Sequence, residues 1–247
     1  MSNINDTFFD GHYKEIWKTL IPGELTVKEV DFMVPHFGLQ PGSKVLDLMC
    51  GYGRHALALG RKGIDVTAVD NLSDYTLEIN QIAGEENLPV KAINSSVKDF
   101  VPDALFNLAI CMGNSLNFFN ASDVQTILNH TAGALQKGGS LLVNSWSIAE
   151  IVYQSFKPSA DTKVGDTSMT STLELKFNPT RLEAVTVFTA PDGATETKTG
   201  IDYIYSLNEM NSFFSAAGLQ VRELFSIPGK KPFTLGEPRV YIVADKI

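Results

Sequence analysis

The chain has 247 residues, a formal net charge of −8 and 44% hydrophobic residues, with no low-complexity tract or evident internal repeat. That length suffices for one large domain with a sizeable core, or one domain carrying an insertion. The acidic balance excludes a general phosphate-backbone footprint, which needs a basic face, so no nucleic-acid partner is expected.

Two cysteines, Cys50 and Cys111, fall at the inner ends of apolar runs and do not make a disulfide scaffold. The first ten residues, MSNINDTFFD, show neither a basic nor an apolar signal region, and no uncharged apolar run could span a bilayer. A soluble, cytoplasmic protein without a membrane partner is the expectation.

Residues 5–39 read as two helices broken at Pro22-Gly23, with Trp17, Leu20, Val27, Val30, Phe32 and Met33 as apolar faces. The prelude 1–42 either covers a sheet or forms a lid over a ligand, with Tyr13 as contact and His12 beside it.

From Ser43 the pattern alternates strand and helix, as in a doubly wound α/β sheet. Residues 45–60, VLDLMCGYGRHALALG, read as a buried strand, a glycine turn at Gly51 and Gly53, and a helix whose unpaired N–H groups face whatever sits over the turn. Gly51, Gly53 and Ala56 fit the loose dinucleotide fingerprint. Asp47 in the strand end, however, suits a ligand ammonium better than a pyrophosphate. A second strand, 64–69, ends at Asp70, an acid about 20 residues past the turn that can hold ribose hydroxyls.

A helix is expected from Ser73, as its cap, to Gly84, then a strand at 90–94 and a fourth at 105–112. Residues 122–136 read as a helix capped by Ser122 or Asp123 and stopped by Gly138-Gly139. A fifth strand at 140–144 delivers Trp146 to its carboxyl end, where ligands of open sheets bind. Residues 168–177, 182–189 and 195–205 alternate as three antiparallel strands. A helix at 206–217 has Ser206 as cap, Glu209 at the capping-box position and Gly218 as stop. Strands at 220–227 and 239–244 close the chain as an edge hairpin.

The D-x-x-x-G-x-G arrangement of Asp47, Gly51 and Gly53, in register with Asp70, resembles motif I of the class I S-adenosylmethionine-dependent methyltransferases. The N-terminal helices, the β insertion and the CGxGRH turn (Cys50 to His55) resemble a bacterial small-molecule subgroup that includes amino-sugar and glycine or sarcosine N-methyltransferases. The resemblance implies a Rossmann-like seven-stranded sheet, mostly parallel with an antiparallel last strand. Helices cover both faces, and an antiparallel β flap is inserted. It implies one domain, with a lid at 1–42, a core at 43–146 and 206–247, and a flap at 164–205.

It further implies S-adenosyl-L-methionine as cofactor and S-adenosyl-L-homocysteine as product. The methionyl end would lie over Gly51 and Gly53 beside Asp47, Asp70 would hold the ribose oxygens, and Tyr13 from the lid, Met49, Cys50 and Asn71 would also contact the cofactor. Ser96 and Val97 would meet the adenine, Ser96 standing where the family often has an acid. Cys111, Met112 and Gly113 would line the pocket. Asn114 and Ser115, in a GNSLNFF segment, would orient a small-molecule acceptor together with Trp146, Tyr203 or Tyr205 and Arg239, which follows the basic pair Lys230-Lys231.

No metal-ligand cluster stands out. No base is assigned: His55 and Asn114 are the candidates, and His55 also reads as an ordinary first-turn helix residue. An amine acceptor need only arrive deprotonated, whereas a hydroxyl needs a base. An NAD-dependent oxidoreductase and a non-catalytic S-adenosylmethionine-binding protein remain alternatives. The flap surface leaves monomer and homodimer open.

Overall fold

Apolar runs separated by helix-forming segments give the computed structural model two sheets. It describes residues 3–247, apart from the side chains of His12 and Glu15. A 3-10 turn (Ile4–Thr7) leads into α1 (His12–Leu20) and α2 (Gly23–His36), parted at Pro22. Next come β1 (Lys44–Leu48), α3 (Arg54–Gly60), β2 (Asp65–Asp70), α4 (Ser73–Glu85), β3 (Val90–Asn94) and β4 (Phe106–Cys111). A second 3-10 turn (Ser115–Phe118) precedes α5 (Ala121–Ala134), β5 (Leu135–Ser145) and α6 (Ala149–Ser155). The flap is β6 (Ser159–Val164), β7 (Thr167–Phe177), β8 (Thr180–Thr189) and β9 (Thr195–Tyr203). Then α7 (Leu207–Ala216), β10 (Leu219–Ile227), β11 (Lys231–Pro232) and β12 (Val240–Lys246) return to the main sheet.

The main sheet runs β11-β10-β12-β5-β4-β1-β2-β3 and the flap β6-β7-β8-β9. β5, β4, β1, β2 and β3 are parallel, while β12 is antiparallel to both its neighbours. This is the expected Rossmann-like methyltransferase sheet with an antiparallel insertion. Strand alternation divides the core. Leu46, Ala109, Val143 and Ile242 face α5 and α7, while Val45, Leu108, Leu142 and Val243 face α2, α3 and α4. The carboxyl ends of β1, β2, β4 and β5 therefore open on one side, under α1 and α2.

Several boundaries differ from the sequence expectation. α4 begins at Ser73 as its first helical residue, because Asp70 has taken the Leu72 N–H and makes Leu72 the cap. α5 is capped by Asn120, whose side chain accepts from the Asp123 N–H, and not by Ser122 or Asp123. It stops at Ala134, and Gly138-Gly139 lies inside β5, where the register against β4 slips between Phe106 and Leu108. Leu135, fully buried, draws the strand start forward. The flap has four strands rather than three. β6 has too weak a pattern to read from sequence, since only Thr162 and Val164 on one of its faces are half-buried. The last hairpin pairs β10 with β12 antiparallel at one end of the sheet, as expected, and the two-residue β11 adds an eighth, outermost strand.

Gly53 shows why the first turn needs glycine. Its φ of +76° is left-handed, and a Cβ there would lie 2.5 Å from Ile79 Cγ1 on α4. Gly53→Ala is expected to lose about 1–3 kcal/mol in urea denaturation. The double variant with Ile79→Ala should lose less than the sum of the single losses. Strict additivity would mean that Ile79 is not what excludes the side chain.

Candidate functional site

The turn after β1 is built from left-handed residues: Met49 (φ 54°), Gly51 (φ 54°) and Gly53. Asp70, at the end of β2, locks it. One carboxylate oxygen accepts from the Gly51 N–H at 2.8 Å and the other from the Leu72 N–H at 3.0 Å. The Asn71 N–H also bonds this carboxylate, which leaves about one of its four acceptor sites for a further donor. A Cβ on Gly51 would meet nothing within 4 Å, because this glycine borders an open-mouthed cavity of ≈ 1100 Å³, mouth included.

Asp47 forms part of the cavity floor. It is 1% exposed, and its Oδ2 has no hydrogen-bond partner among the described residues. Burial pushes its carboxyl up to about 7, with Asp70 adding to the rise and Arg54 opposing it. Asp70 is raised too, by burial, against the pull of its backbone N–H partners. A buried carboxylate with a free oxygen calls for a cationic or hydrogen-bond-donating ligand.

Beside Asp47 lies a buried network that the sequence reading did not find. Glu29 of α2 accepts from Arg54 Nη1 (2.5 Å) and from the Tyr241 hydroxyl (2.7 Å), and pairs with His55 Nε2 (2.9 Å). Burial alone would raise the Glu29 carboxyl, but His55, Arg54 and Tyr241 together bring it down to about 2. The His55 imidazole is lowered, chiefly by burial and then by Arg54. His55 thus borders the cavity with its Nε2 paired to Glu29. The missed signal was a glutamate at position 29 amid the apolar spacing of Val30 and Met33.

The opposite wall is aromatic. Tyr13 stacks on Trp17 with centroids 5.8 Å apart, Trp17 lies 6.2 Å from Trp146, and Phe9 packs on Phe118 at 4.8 Å. Of the residues expected to hold ligands, Tyr13, Asp47, Met49, Cys50 and Gly51 line the cavity, as do Asp70 and Asn71. Met112, Gly113, Ser115, Trp146 and Arg239 line it as well.

The others stand outside the wall. Gly53 is occupied with packing against α4. Val97 and Cys111 are core residues, and Ser96 Oγ turns to the Lys98 N–H at 3.4 Å. Asn114 is corrected as a catalytic and acceptor candidate because its carboxamide is wholly spent. Its oxygen accepts from Ser145 Oγ and from the Trp146 and Ser147 N–H groups, each at 3.0 Å. Its nitrogen donates to Ser147 Oγ and Asp202 Oδ2. Tyr203 packs against the core, and Tyr205 donates its hydroxyl to the Phe119 carbonyl. The His12 side chain lies outside the described residues. No group of three potential metal ligands and no membrane-length apolar helix occurs among the described residues.

The sheet order, the glycine turn between two strand-end carboxylates and the antiparallel β insertion give the chain the class I S-adenosylmethionine-dependent methyltransferase fold. Residues 45–139 match a family model described as a methyltransferase domain. A methyltransferase of this dependence from Clostridium acetobutylicum superposes with a TM-score of 0.80 at 15% identity, over 90% of this chain and 92% of that one. An amino pentose methyltransferase from Micromonospora echinaspora superposes at 0.71 with 14% identity, over 96% and 98%. The carboxy-S-adenosyl-L-methionine synthase of Vibrio cholerae is 25% identical over 155 residues, 58% of this chain and 62% of that protein. The chain spans less than two thirds of the curated relatives it matches, 28% in one and 62% in another.

Glu29→Ala leaves Arg54 buried without its counter-charge and is expected to cost about 3–5 kcal/mol in chemical denaturation at pH 7. The folded carboxyl, near 2, lies below its ordinary 4.5, so its contribution is complete above 4.5 and fades as pH falls toward 2. A variant as stable as the parent at pH 7 would show the network to be dispensable.

Proposed function

We propose that this protein transfers a methyl group from S-adenosyl-L-methionine to a small-molecule acceptor, an amine, and releases S-adenosyl-L-homocysteine. The observation that carries the reading is the free, buried Oδ2 of Asp47 beside Gly51. It offers a carboxylate to an ammonium at a point where the backbone leaves space for close approach. A pyrophosphate placed there would face Asp47 and Asp70 together, which disfavours the dinucleotide alternative.

When bound, the cofactor supplies an already activated methyl group, so the chain's work is positioning. Asp47 takes the ammonium, and Asp70 takes a ribose hydroxyl with the acceptor site its backbone partners leave. Asn71, Met49 and Met112 fill in the walls around them. Tyr13, Trp17 and Trp146 enclose the acceptor and exclude water. An amine suits this site because it need only arrive deprotonated, whereas an alcohol needs a group to take its proton.

Calorimetric titration with S-adenosylmethionine, S-adenosylhomocysteine and NAD tests the reading: the first two should bind and NAD should not. NAD binding alone would make this an oxidoreductase, and silence from all three would remove the cofactor site. Asp70→Ala should weaken S-adenosylhomocysteine by about 1.5–3 kcal/mol, the value of a hydrogen bond to a charged group. Asp47 must be ionised to hold the ammonium, and its carboxyl lies near 7. Affinity should therefore rise as pH climbs through 7 and fall by up to about tenfold per unit below it. Asp47→Asn should flatten that profile, and an unchanged profile would show that another group titrates.

A further inference from the structure

Ion pairing sorts the chain's five arginines. Arg54 pairs with Glu29, Arg61 with Glu86, Arg181 with Glu183 and Arg222 with Asp245. Arg239 pairs with no carboxylate among the described residues, and it stands in the cavity wall. The acids that could have neutralised it are occupied. Glu237, two residues upstream, pairs with Lys231. Glu29, on the same wall, is saturated by Arg54, His55 and Tyr241. The Arg239 guanidinium faces instead the neutral hydroxyl of Tyr241.

The fold places this cation at the acceptor end. Val240 pairs with Ser145, so residue 239 sits beside Trp146 at the carboxyl end of β5. Ile21, Leu25, Trp17 and Trp146 make the surrounding wall apolar. A half-enclosed guanidinium in such a wall has lost hydration without gaining a counter-charge, and its fork matches a carboxylate through two parallel N–H···O bonds.

We propose that Arg239 holds a carboxylate of the methyl acceptor, so that the acceptor is an amine that also carries an acid group, as amino acids do. This rests on the methyl-transfer reading above. The cofactor has a carboxylate of its own, but that group is one carbon away from the ammonium assigned to Asp47. β1 and β12 are separated by β4 and β5. At about 4.8 Å per strand their backbones lie roughly 14 Å apart. The acceptor is the better source.

The test uses benzoate and its neutral isostere benzamide, titrated into the full chain saturated with S-adenosylhomocysteine. Benzoate should bind at least about tenfold more tightly than benzamide. Arg239→Gln should abolish the difference, and Arg239→Lys, which keeps the charge, should retain part of it. Equal binding of the two probes by the parent protein overturns the assignment, as does a benzoate preference that survives Arg239→Gln. If the Gln variant fails to fold, the parent comparison and the Lys variant still decide.

A second arm separates the two carboxylate sources. S-adenosylhomocysteine affinity should stay within about threefold in Arg239→Gln. A loss of about tenfold, absent for methylthioadenosine, which lacks the amino-acid tail, would assign Arg239 to the cofactor and overturn the acceptor proposal. Should S-adenosylhomocysteine not bind the parent protein at all, the methyl-transfer reading falls. The acceptor assignment falls with it, while the probe pair measured without cofactor still shows whether Arg239 is a carboxylate site.

Discussion

The cavity depends on one side chain, the carboxamide of Asn114. Gly113 and Asn114 turn the chain out of β4 in successive left-handed conformations, φ +76° and +70°. Asparagine is among the few non-glycine residues that tolerate this. From there the Asn114 oxygen receives three donors from residues 145–147 at the end of β5, and its nitrogen reaches the Asp202 carboxylate on the flap. Asn117 repeats the pattern, donating to the Ser147 and Tyr203 carbonyls and accepting from Ser145 Oγ. Two amides thus weld the ends of β4 and β5 to the base of the flap. Their donors and acceptors are buried, so removing either would strand several polar groups at once.

What the weld positions, the lid completes. Asn5 pairs with both the N–H and the carbonyl of Ile201, and reaches the Phe118 carbonyl as well. Lys198 on β9 gives its ammonium to the Thr7 carbonyl and to Asp10. Gly200 is glycine because the Phe8 ring lies 3.0 Å from where a Cβ would be. On the other side, the Tyr75 hydroxyl of α4 donates to the Phe9 carbonyl. The lid therefore rests on the flap and on the Rossmann-like core together. The aromatic wall of Tyr13, Trp17 and Trp146 takes its shape from all three.

Legibility in the sequence followed locality. The glycine turn, Asp47, Asp70 and the Ser206–Glu209 capping box are each specified within a few residues, and the structure shows the capping box complete. Non-local pairings left weaker traces. Nothing in Glu29 announces that Tyr241, 212 positions away, will donate to it, although a lone acid in an apolar stripe was a usable hint. Asn114 was misread because a ligand-orienting amide and a structural one look alike until the partners are known. β6 is illegible because only two of its six residues, Thr162 and Val164, are half-buried, too few to establish a period. Gly138-Gly139 signalled a helix stop, but Leu135 was already committed to the core and ended α5 sooner.

Charge accounting inside the cavity separates scaffold from function more sharply than motif does. Glu29, Arg54, His55 and Tyr241 satisfy one another, so that cluster fixes α2 against α3 and β12 and has little left to offer a ligand. Asp47 and Arg239 are different: each borders the same space with no ion-pair partner among the described residues, so each can still answer a charged group of an incoming molecule. A fold under selection for stability alone would pair such groups or replace them with apolar residues, since an uncompensated buried charge is among the costlier defects a core can carry. Their opposite signs, on strands separated by two others, suit two separate ligand groups rather than one. Read this way, the unmatched groups trace the outline of what the cavity binds.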